Sequence, residues 1–203
     1  MPQEFFVTAI GTDSGKTVVS AILCEALNAY YWKPIQAGTP TDTETVKALT
    51  KRPAHYFLPE AFCLNMPASP NIAAAAEQKK IQLEQIKKPE VNGNLVIEGA
   101  GGILVPITEQ HFVIDLAQKW HIPIILVVNL YLGCINHTLL SVQELRRRNC
   151  EIKGIIFNGK KDEAVQKTIV SQTQLSILLH IEQHSVIEHQ HMLHYAKLIQ
   201  AVL

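Results

Sequence analysis

Short apolar runs alternate along the chain with stretches in which apolar residues recur at every third or fourth position. The uninterrupted runs predict strands at 5–10, 30–35, 95–97, 122–129 and 155–157. The three- and four-residue spacing predicts a helix at 16–28, and further helical patterns predict helices at 41–51, 113–120 and 135–148. The alanine-rich stretch 72–80 is also predicted to be helical. Because strands that are apolar throughout are typical of parallel sheets covered on both faces, the alternation predicts an α/β fold with a doubly wound parallel sheet.

The segment 53–70 interrupts this alternation with four prolines, and we expect it to be irregular. The length of 203 residues and the hydrophobic content of 47% fit one globular domain over 1–203, since no repeat or change of composition marks a boundary. Intrinsic disorder is excluded, because it requires low hydrophobicity and a high net charge.

The 18 basic and 18 acidic side chains give a formal net charge of zero. This balance argues against a protein that acts mainly on nucleic acid or on acidic membranes. No apolar run approaches the ~18 residues of a membrane-spanning helix, and the first residues lack the basic region of a signal peptide. The four cysteines form no Cys-x-x-Cys pair, so we expect reduced thiols and a cytoplasmic protein.

The most specific motif is Gly-Thr-Asp-Ser-Gly-Lys-Thr at 11–17, which follows a predicted strand and opens a predicted helix. This context is required of a phosphate-binding loop, so we expect a sheet of the P-loop NTPase type. Gly15 would allow the tight turn, Lys16 would reach the phosphates, and Thr17 would place its hydroxyl on Mg²⁺. Ile10 stands where the standard spacing has glycine, which leaves an ordinary Gly-Lys-Thr loop as the alternative.

Three further positions place charged side chains near predicted element ends. Lys33 lies in an apolar run, where burial is costly, and an exposed lysine is the alternative. Glu98 ends an apolar strand before a glycine run, where α/β folds bind ligands and where a carboxylate suits Mg²⁺, unless it only precedes a turn. Asp42 is a candidate second carboxylate, although either it or Thr41 would serve as a helix N-cap.

Two segments in the second half of the chain carry less specific signals. The string Leu-Gly-Cys-Ile-Asn-His at 132–137 joins a strand to a helix, and its amides would bind an anion such as a carboxylate or simply form a turn. Five histidines lie between 180 and 194. His180 and His184 have helical spacing that suits a metal, but no third ligand is apparent and a solvated helix face is favoured.

Together, the Gly-Lys-Thr loop, Lys-Pro-x-x-x-Gly at 33–38 and Glu-Gly-Ala-Gly-Gly at 98–102 resemble the dethiobiotin synthetase family. The string at 132–137 discriminates best, because related P-loop enzymes such as the partition ATPases do not share it. The resemblance implies an ATP- and Mg²⁺-dependent ligase of biotin synthesis. Such an enzyme converts 7,8-diaminopelargonate and CO₂ to dethiobiotin, ADP and phosphate through a carbamate and a carbamic–phosphoric anhydride.

The resemblance also implies residue roles. Lys16 and Lys33 would be catalytic, by neutralising the carbamate and the transferring phosphate. Mg²⁺ would be bound by Thr17, Asp42 and Glu98. Nucleotide contacts would come from Asp13, Ser14, Gly15, Lys16, Thr17, Val18, Asp42, Glu98, Gly99, Ala100, Gly101 and, at the adenine, Asn158. Substrate contacts would come from Thr12, Lys33 and, across the interface of a homodimer, from Gly133, Cys134, Ile135 and Asn136.

The chain departs from the family pattern at Ala9, usually glycine, and at Ala37, where the family has a serine that contacts substrate. It also lacks a recognisable proline-containing loop against the nucleotide base. Two alternatives therefore stay open. A switch ATPase of the partition or metallochaperone type would work through partner binding, but usually has a second lysine, which positions 9–14 do not contain. An inactive, dimeric binding module is disfavoured by the intact set of Lys16, Thr17, Lys33, Asp42 and Glu98.

Overall fold

The computed structural model describes residues 2–203. Its strands are β1 (Glu4–Ala9), β2 (Tyr30–Trp32), β3 (Ile35–Ala37), β4 (Phe57–Leu58), β5 (Phe62–Leu64), β6 (Leu95–Gly102), β7 (Ile124–Asn129), β8 (Ile152–Asn158) and β9 (Ile177–Ile181). Its helices are α1 (Lys16–Leu27), α2 (Asp42–Thr50), α3 (Pro70–Ala76), α4 (Val113–Trp120), α5 (Cys134–Arg147), α6 (Glu163–Thr173) and α7 (His189–Gln200). The main sheet has seven parallel strands in the order β4-β2-β6-β1-β7-β8-β9, and β3 pairs with β5 in a second, two-stranded sheet.

Helices cover both faces of the main sheet. Successive side chains of a strand point to opposite faces, so Val7 packs in the core with Ile22 of α1 while Phe6 packs in the opposite core with Ile114 of α4. A third apolar cluster includes Phe157 of β8 together with residues of α5 and α6. The predicted doubly wound α/β architecture is therefore confirmed.

The apolar run at 30–35 forms two strands instead of the single one predicted. β2 ends at Trp32 and β3 begins at Ile35 in the other sheet, with Lys33 and Pro34 between them. Proline has no N–H with which to continue a strand ladder, so the chain leaves the main sheet at Pro34. This break takes Lys33 out of the strand and into the region beyond its carboxyl end.

The proline-rich segment is less irregular than predicted, because it contains β4 and β5. Its four prolines, at 53, 59, 67 and 70, lie outside both short strands. The helix predicted at 72–80 instead spans Pro70–Ala76. Proline suits the first position of a helix, where the missing N–H would have no partner anyway.

The C-terminal histidines do not form the predicted helical pair. His180 lies in β9, with Nδ1 2.6 Å from Gln166 Nε2, and His184 lies in the following loop, with Nε2 2.8 Å from the Tyr195 hydroxyl. Neither residue lies in a helix, so the predictions of a helical pair and of a solvated helix face are both wrong for His180 and His184. Over residues 2–203, no three His, Cys, Asp or Glu side chains converge as a metal site. The same part of the chain has no helix of the length and apolar character that crossing a membrane requires.

Candidate active site

A cavity of about 770 Å³ lies where β1, β2 and β6 end. In parallel α/β sheets these carboxyl ends lie at one edge, where ligands bind. Its lining comes from 12–17, 33–42, 67–70 and 98–105. Segments far apart in the sequence thus share one site, and Lys16, Thr17, Lys33, Asp42 and Glu98 all face it.

Gly15 and Asn158 shape the loop between β1 and α1. Gly15 has a φ of 94°, in the left-handed region that favours glycine, and no side chain caps the helix it precedes. A Cβ at Gly15 would overlap the side-chain amide of Asn158, whose Nδ2 donates to the Ser14 carbonyl at 3.0 Å. The Ser14 hydroxyl donates to the Gly11 carbonyl at 3.1 Å. The first amides of α1 are therefore left open to an anion, as in a phosphate site.

Lys16 is a buried cation at the first turn of α1. Its Nζ lies 3.5 Å from the Gly11 carbonyl. Burial lowers the pKa of Lys16, and the positive charge of Lys33 lowers it further against the opposing effect of Glu98 and Asp42. The ammonium group of Lys16 thus lies beside the open amides with little negative charge to balance it. A phosphate bound there would supply that negative charge.

Lys33 is almost fully buried, so the alternative of an exposed lysine is wrong. Its Nζ lies 2.6 Å from Asp42 Oδ2 and 3.2 Å from Glu98 Oε1, and it donates to the Gly99 carbonyl at 3.0 Å. Burial alone would lower the pKa of Lys33, but the carboxylates of Glu98 and Asp42 outweigh it and raise the pKa. Conversely, burial would raise the pKa of Asp42, and Lys33 more than reverses this effect.

Thr17 points its hydroxyl at both carboxylates of this cluster. Its Oγ1 lies 3.0 Å from Asp42 Oδ1 and 3.0 Å from Glu98 Oε1. A hydroxyl has a single proton, so it can donate to only one of them at a time. One hydroxyl and two carboxylates that converge at the mouth of a phosphate loop fit Mg²⁺, which prefers a few oxygen ligands together with phosphate and water.

Asp42 begins α2 without capping it. Thr41 is the N-cap and forms a capping box with Glu44, which leaves the Asp42 carboxylate free for Lys33 and Thr17. Gln36, which the sequence did not indicate, is buried and accepts from the Asp42 amide at 3.0 Å, while its Nε2 donates to the Gly38 carbonyl at 3.0 Å. Gln36 therefore anchors the start of α2 to the segment after β3.

Tyr31 is a second residue that sequence reasoning missed. Its hydroxyl donates to Glu98 Oε2 at 3.0 Å, and its ring is fully buried in the core beneath α1. Burial raises the pKa of Tyr31 well above its usual value, and the nearby carboxylates of Glu98 and Asp42 raise it further. No sequence signal could have indicated this contact, because an aromatic residue within an apolar strand is ordinary.

The remaining residues predicted near the phosphate loop fall into two groups. Thr12, Asp13, Ala100 and Gly101 line the cavity, with Thr12 and Asp13 exposed. Val18 and Gly99 do not line the cavity, and Val18 instead packs against the core under α1.

The residues predicted to bind the substrate carboxylate do not line this cavity. Gly133, with a φ of 107°, precedes α5 as an uncapped N-cap, and Cys134 is buried. The neighbouring Leu132 is fully exposed. Tyr131, Leu132 and Cys134 line a smaller cavity of about 420 Å³ together with Lys160 and Lys161. A single copy of the chain therefore does not bring the 133–136 turn to the lysine–carboxylate cluster.

Comparison with known proteins identifies close relatives. The family model described as "AAA domain" matches residues 3–191. The ATP-dependent dethiobiotin synthetase of Cytophaga hutchinsonii is 50% identical over 181 residues, which cover 88% of this chain and 88% of that protein. The ATP-dependent dethiobiotin synthetase of Christiangramia forsetii is 42% identical over 199 residues, which cover 97% of this chain and 96% of that protein.

Solved structures with the same fold are much more distant in sequence. The cell division ATPase MinD of Pyrococcus furiosus has a TM-score of 0.57 at 12% identity, and the match covers 100% of this chain and 100% of that one. A plasmid partition protein of Borrelia burgdorferi bound to AMPPNP has a TM-score of 0.58 at 11% identity and covers 100% of this chain and 98% of its own. At such identities the likeness extends to the P-loop ATPase fold alone.

Proposed function

Because the chain belongs to the ATP-dependent dethiobiotin synthetase family of ligases, we propose that it closes the ureido ring of dethiobiotin from 7,8-diaminopelargonate and CO₂. ATP is the co-substrate, and ADP and phosphate are the other products. The observation that supports this reaction best is the buried cluster of Lys33, Asp42 and Glu98 beside Lys16, because it concentrates two cations where two anionic reactants would meet.

The proposed chemistry has three steps. One substrate amine attacks CO₂ and loses a proton, which gives a carbamate. A carbamate oxygen then attacks the γ-phosphorus of ATP, the bond to the bridging oxygen breaks, and ADP leaves. The second amine attacks the carbonyl carbon of the resulting carbamic–phosphoric anhydride, loses a proton and expels phosphate, which closes the ring. The protein contributes mainly positioning and charge stabilisation.

Lys16 and Lys33 take complementary parts in this proposal. Lys16, which faces the open amides of α1, binds the transferring phosphate. Lys33 already donates to Asp42, Glu98 and the Gly99 carbonyl, so contact with the carbamate requires exchange of one bond. Asp42 is the partner to be exchanged, since its side chain is 31% exposed whereas that of Glu98 is fully buried.

The nucleotide and its cation occupy the phosphate loop in this proposal. Mg²⁺, ligated by Thr17, Asp42 and Glu98, would neutralise phosphate charge. The loop residues 13–17 together with Ala100 and Gly101, which line the cavity, would surround the phosphates. Asn158 would contact the adenine. Support comes from its position against the loop, where its Nδ2 donates to the Ser14 carbonyl.

A product assay tests the reaction directly. Purified protein with 7,8-diaminopelargonate, bicarbonate, Mg²⁺ and ATP is expected to form dethiobiotin and phosphate in equal amounts, measured by mass spectrometry and a phosphate assay. Reactions without the diamine are the matched control. Phosphate release at the same rate with and without the diamine would contradict the proposal and favour a switch ATPase. The absence of turnover with any nucleotide would favour an inactive binding module.

We further propose that the chain works as a homodimer in which the 133–136 amides of one subunit bind the substrate carboxylate in the site of the other. Support comes from the uncapped helix start at Gly133 and from the exposed apolar side chains of Tyr131, Leu132 and Leu140 beside it. Apolar surface of this kind is typical of an interface.

A mixing experiment tests the shared site. Ile135→Pro removes one amide from the first turn of α5, and Lys16→Ala disables the other half of the site. Each variant alone is expected to be inactive. Mixed dimers keep one complete site of two, so unfolding and refolding the two together is expected to restore about a quarter of the wild-type activity. No restoration, or a monomer by light scattering, would contradict the shared site.

A further inference from the structure

Tyr31 is a residue of the main sheet whose hydroxyl reaches the carboxylate cluster. It pairs in register with Val96 of β6, so the two side chains share a face, and Glu98 lies two residues further along on that same face. The tyrosine ring spans this diagonal within the core, and its hydroxyl donates to Glu98 Oε2 at 3.0 Å. Tyr31 does not line the cavity, and the hydrogen bond to Glu98 is what joins its side chain to the site.

The two carboxylate oxygens of Glu98 have different partners. Oε1 faces the cavity side, with the Thr17 hydroxyl at 3.0 Å and Lys33 Nζ at 3.2 Å. Oε2 receives the Tyr31 hydroxyl. The terminal torsion of a glutamate is intrinsically broad, so its orientation must come from its partners. Without Tyr31, a buried oxygen would lose its donor and the carboxylate would be free to turn towards other groups.

We propose that Tyr31 is a positioning residue of the divalent-cation site, whose hydroxyl fixes Glu98 so that Oε1 faces the Thr17 hydroxyl. This inference rests on the proposed function, in which Thr17, Asp42 and Glu98 ligate Mg²⁺. Tyr31 touches neither cation nor substrate and acts only through Glu98. Groups that orient a ligating carboxylate in this way typically change metal affinity 10- to 100-fold when they are removed.

The test is Tyr31→Phe, which removes one oxygen atom and keeps the ring. Binding of Mn²⁺ in the presence of ADP is measured by electron paramagnetic resonance of the free ion, without diamine or bicarbonate. The Kd for Mn²⁺ is expected to rise ~10-fold. Binding of ADP in EDTA is expected to stay unchanged, because the phosphate loop itself is not altered.

Tyr30→Phe is the matched control. Tyr30 precedes Tyr31 on the same strand, so its side chain points to the opposite face, where its ring lies 5.1 Å from that of Tyr56. This variant is expected to bind Mn²⁺ as the wild type does. An equal loss in both variants would overturn the proposal, since it would show a general effect of perturbing β2.

A double variant distinguishes positioning from a structural role. If Tyr31 acts through Glu98, adding Tyr31→Phe to Glu98→Gln weakens Mn²⁺ binding no further, whereas independent effects would add. All comparisons are made below the lowest melting midpoint of the set. Unchanged Mn²⁺ binding in Tyr31→Phe, additive losses in the double variant, or failure of Tyr31→Phe to fold would each overturn the proposal.

These readouts separate this inference from the proposed function. If Tyr31→Phe loses Mn²⁺ affinity but the wild-type protein forms no dethiobiotin, the proposed reaction is overturned and the role of Tyr31 stands. If the wild type forms dethiobiotin but Tyr31→Phe binds Mn²⁺ as the wild type does, the role of Tyr31 is overturned and the proposed reaction stands.

Discussion

Replacing Lys16 with alanine is expected to lower the turnover number by ~10³-fold or more, because it removes the cation that we propose meets the charge of the transferring phosphate. The fold is expected to survive this change. Lys16 is buried, and both its burial and its neighbour Lys33 disfavour its charge, so the free energy of unfolding should stay the same or increase. Dethiobiotin formation and urea denaturation measure the two effects separately.

The control for Lys16→Ala is Lys47→Ala, which removes an exposed lysine of α2 outside the cavity. It is expected to leave turnover unchanged. If Lys16→Ala kept more than about a tenth of the wild-type turnover, the proposed contact with the phosphate would be wrong, because removal of one such charge contact typically costs far more. A parallel loss of folding stability would point instead to a structural role.

Lys33→Met is expected to impair both catalysis and stability. Loss of its charge leaves Asp42 and the fully buried Glu98 without their shared cation. Breaking a buried ion pair in this way typically costs about 3–5 kcal/mol in the free energy of unfolding. The turnover number is expected to fall ~10²-fold or more, whereas ATP affinity should change much less, since the proposed phosphate contacts are Lys16 and the loop amides.

The stability deficit of Lys33→Met should depend on pH in the absence of Mg²⁺. Lys33 lowers the pKa of Asp42 below its usual 3.8. The Lys33–Asp42 pair therefore stabilises the native wild type above pH 3.8, and this stabilisation is lost as the pH falls through the pKa of Asp42 in the native state. In the variant Asp42 loses the cation that lowers its pKa, so this carboxylate binds a proton more readily. The deficit is therefore expected to shrink as the pH is lowered from 7, in urea denaturation measured at several pH values.

Lys197→Met, an exposed lysine of α7, is the control for both effects. Wild-type turnover in Lys33→Met would contradict the catalytic role of that lysine. A deficit that stayed constant or grew towards acid pH would contradict the pairing with Asp42 as its cause.

The phosphate loop was readable from the sequence because its logic is local. A strand, a glycine-containing turn and a helix that begins with Lys16-Thr17 are adjacent in the chain, and Gly15 adopts the left-handed φ that the motif implies. Glu98 was readable for a similar reason, since the end of an apolar strand beside glycines is where parallel sheets bind ligands.

The histidine tail shows the opposite case. His180 and His184 are four residues apart, and this spacing has helical meaning only if the segment is a helix. The pairing of His180 with Phe157 in register places it in β9 instead, because β8 offers an edge to which the chain adds a strand. A local pattern could not foresee this tertiary preference.

The sequence by itself determined the class of fold, the phosphate loop and the family, because hydrophobic period, motif spacing and strand ends are properties of neighbouring residues. Only the tertiary structure decided how the charges are paired. Lys33 and Glu98 meet because β2 and β6 are neighbours in the sheet, and Asp42 joins them because α2 starts where Gln36 anchors it. Tyr31 reaches Glu98 for the same reason. Such contacts depend on strand order and on which face a side chain occupies, and distance along the chain specifies neither.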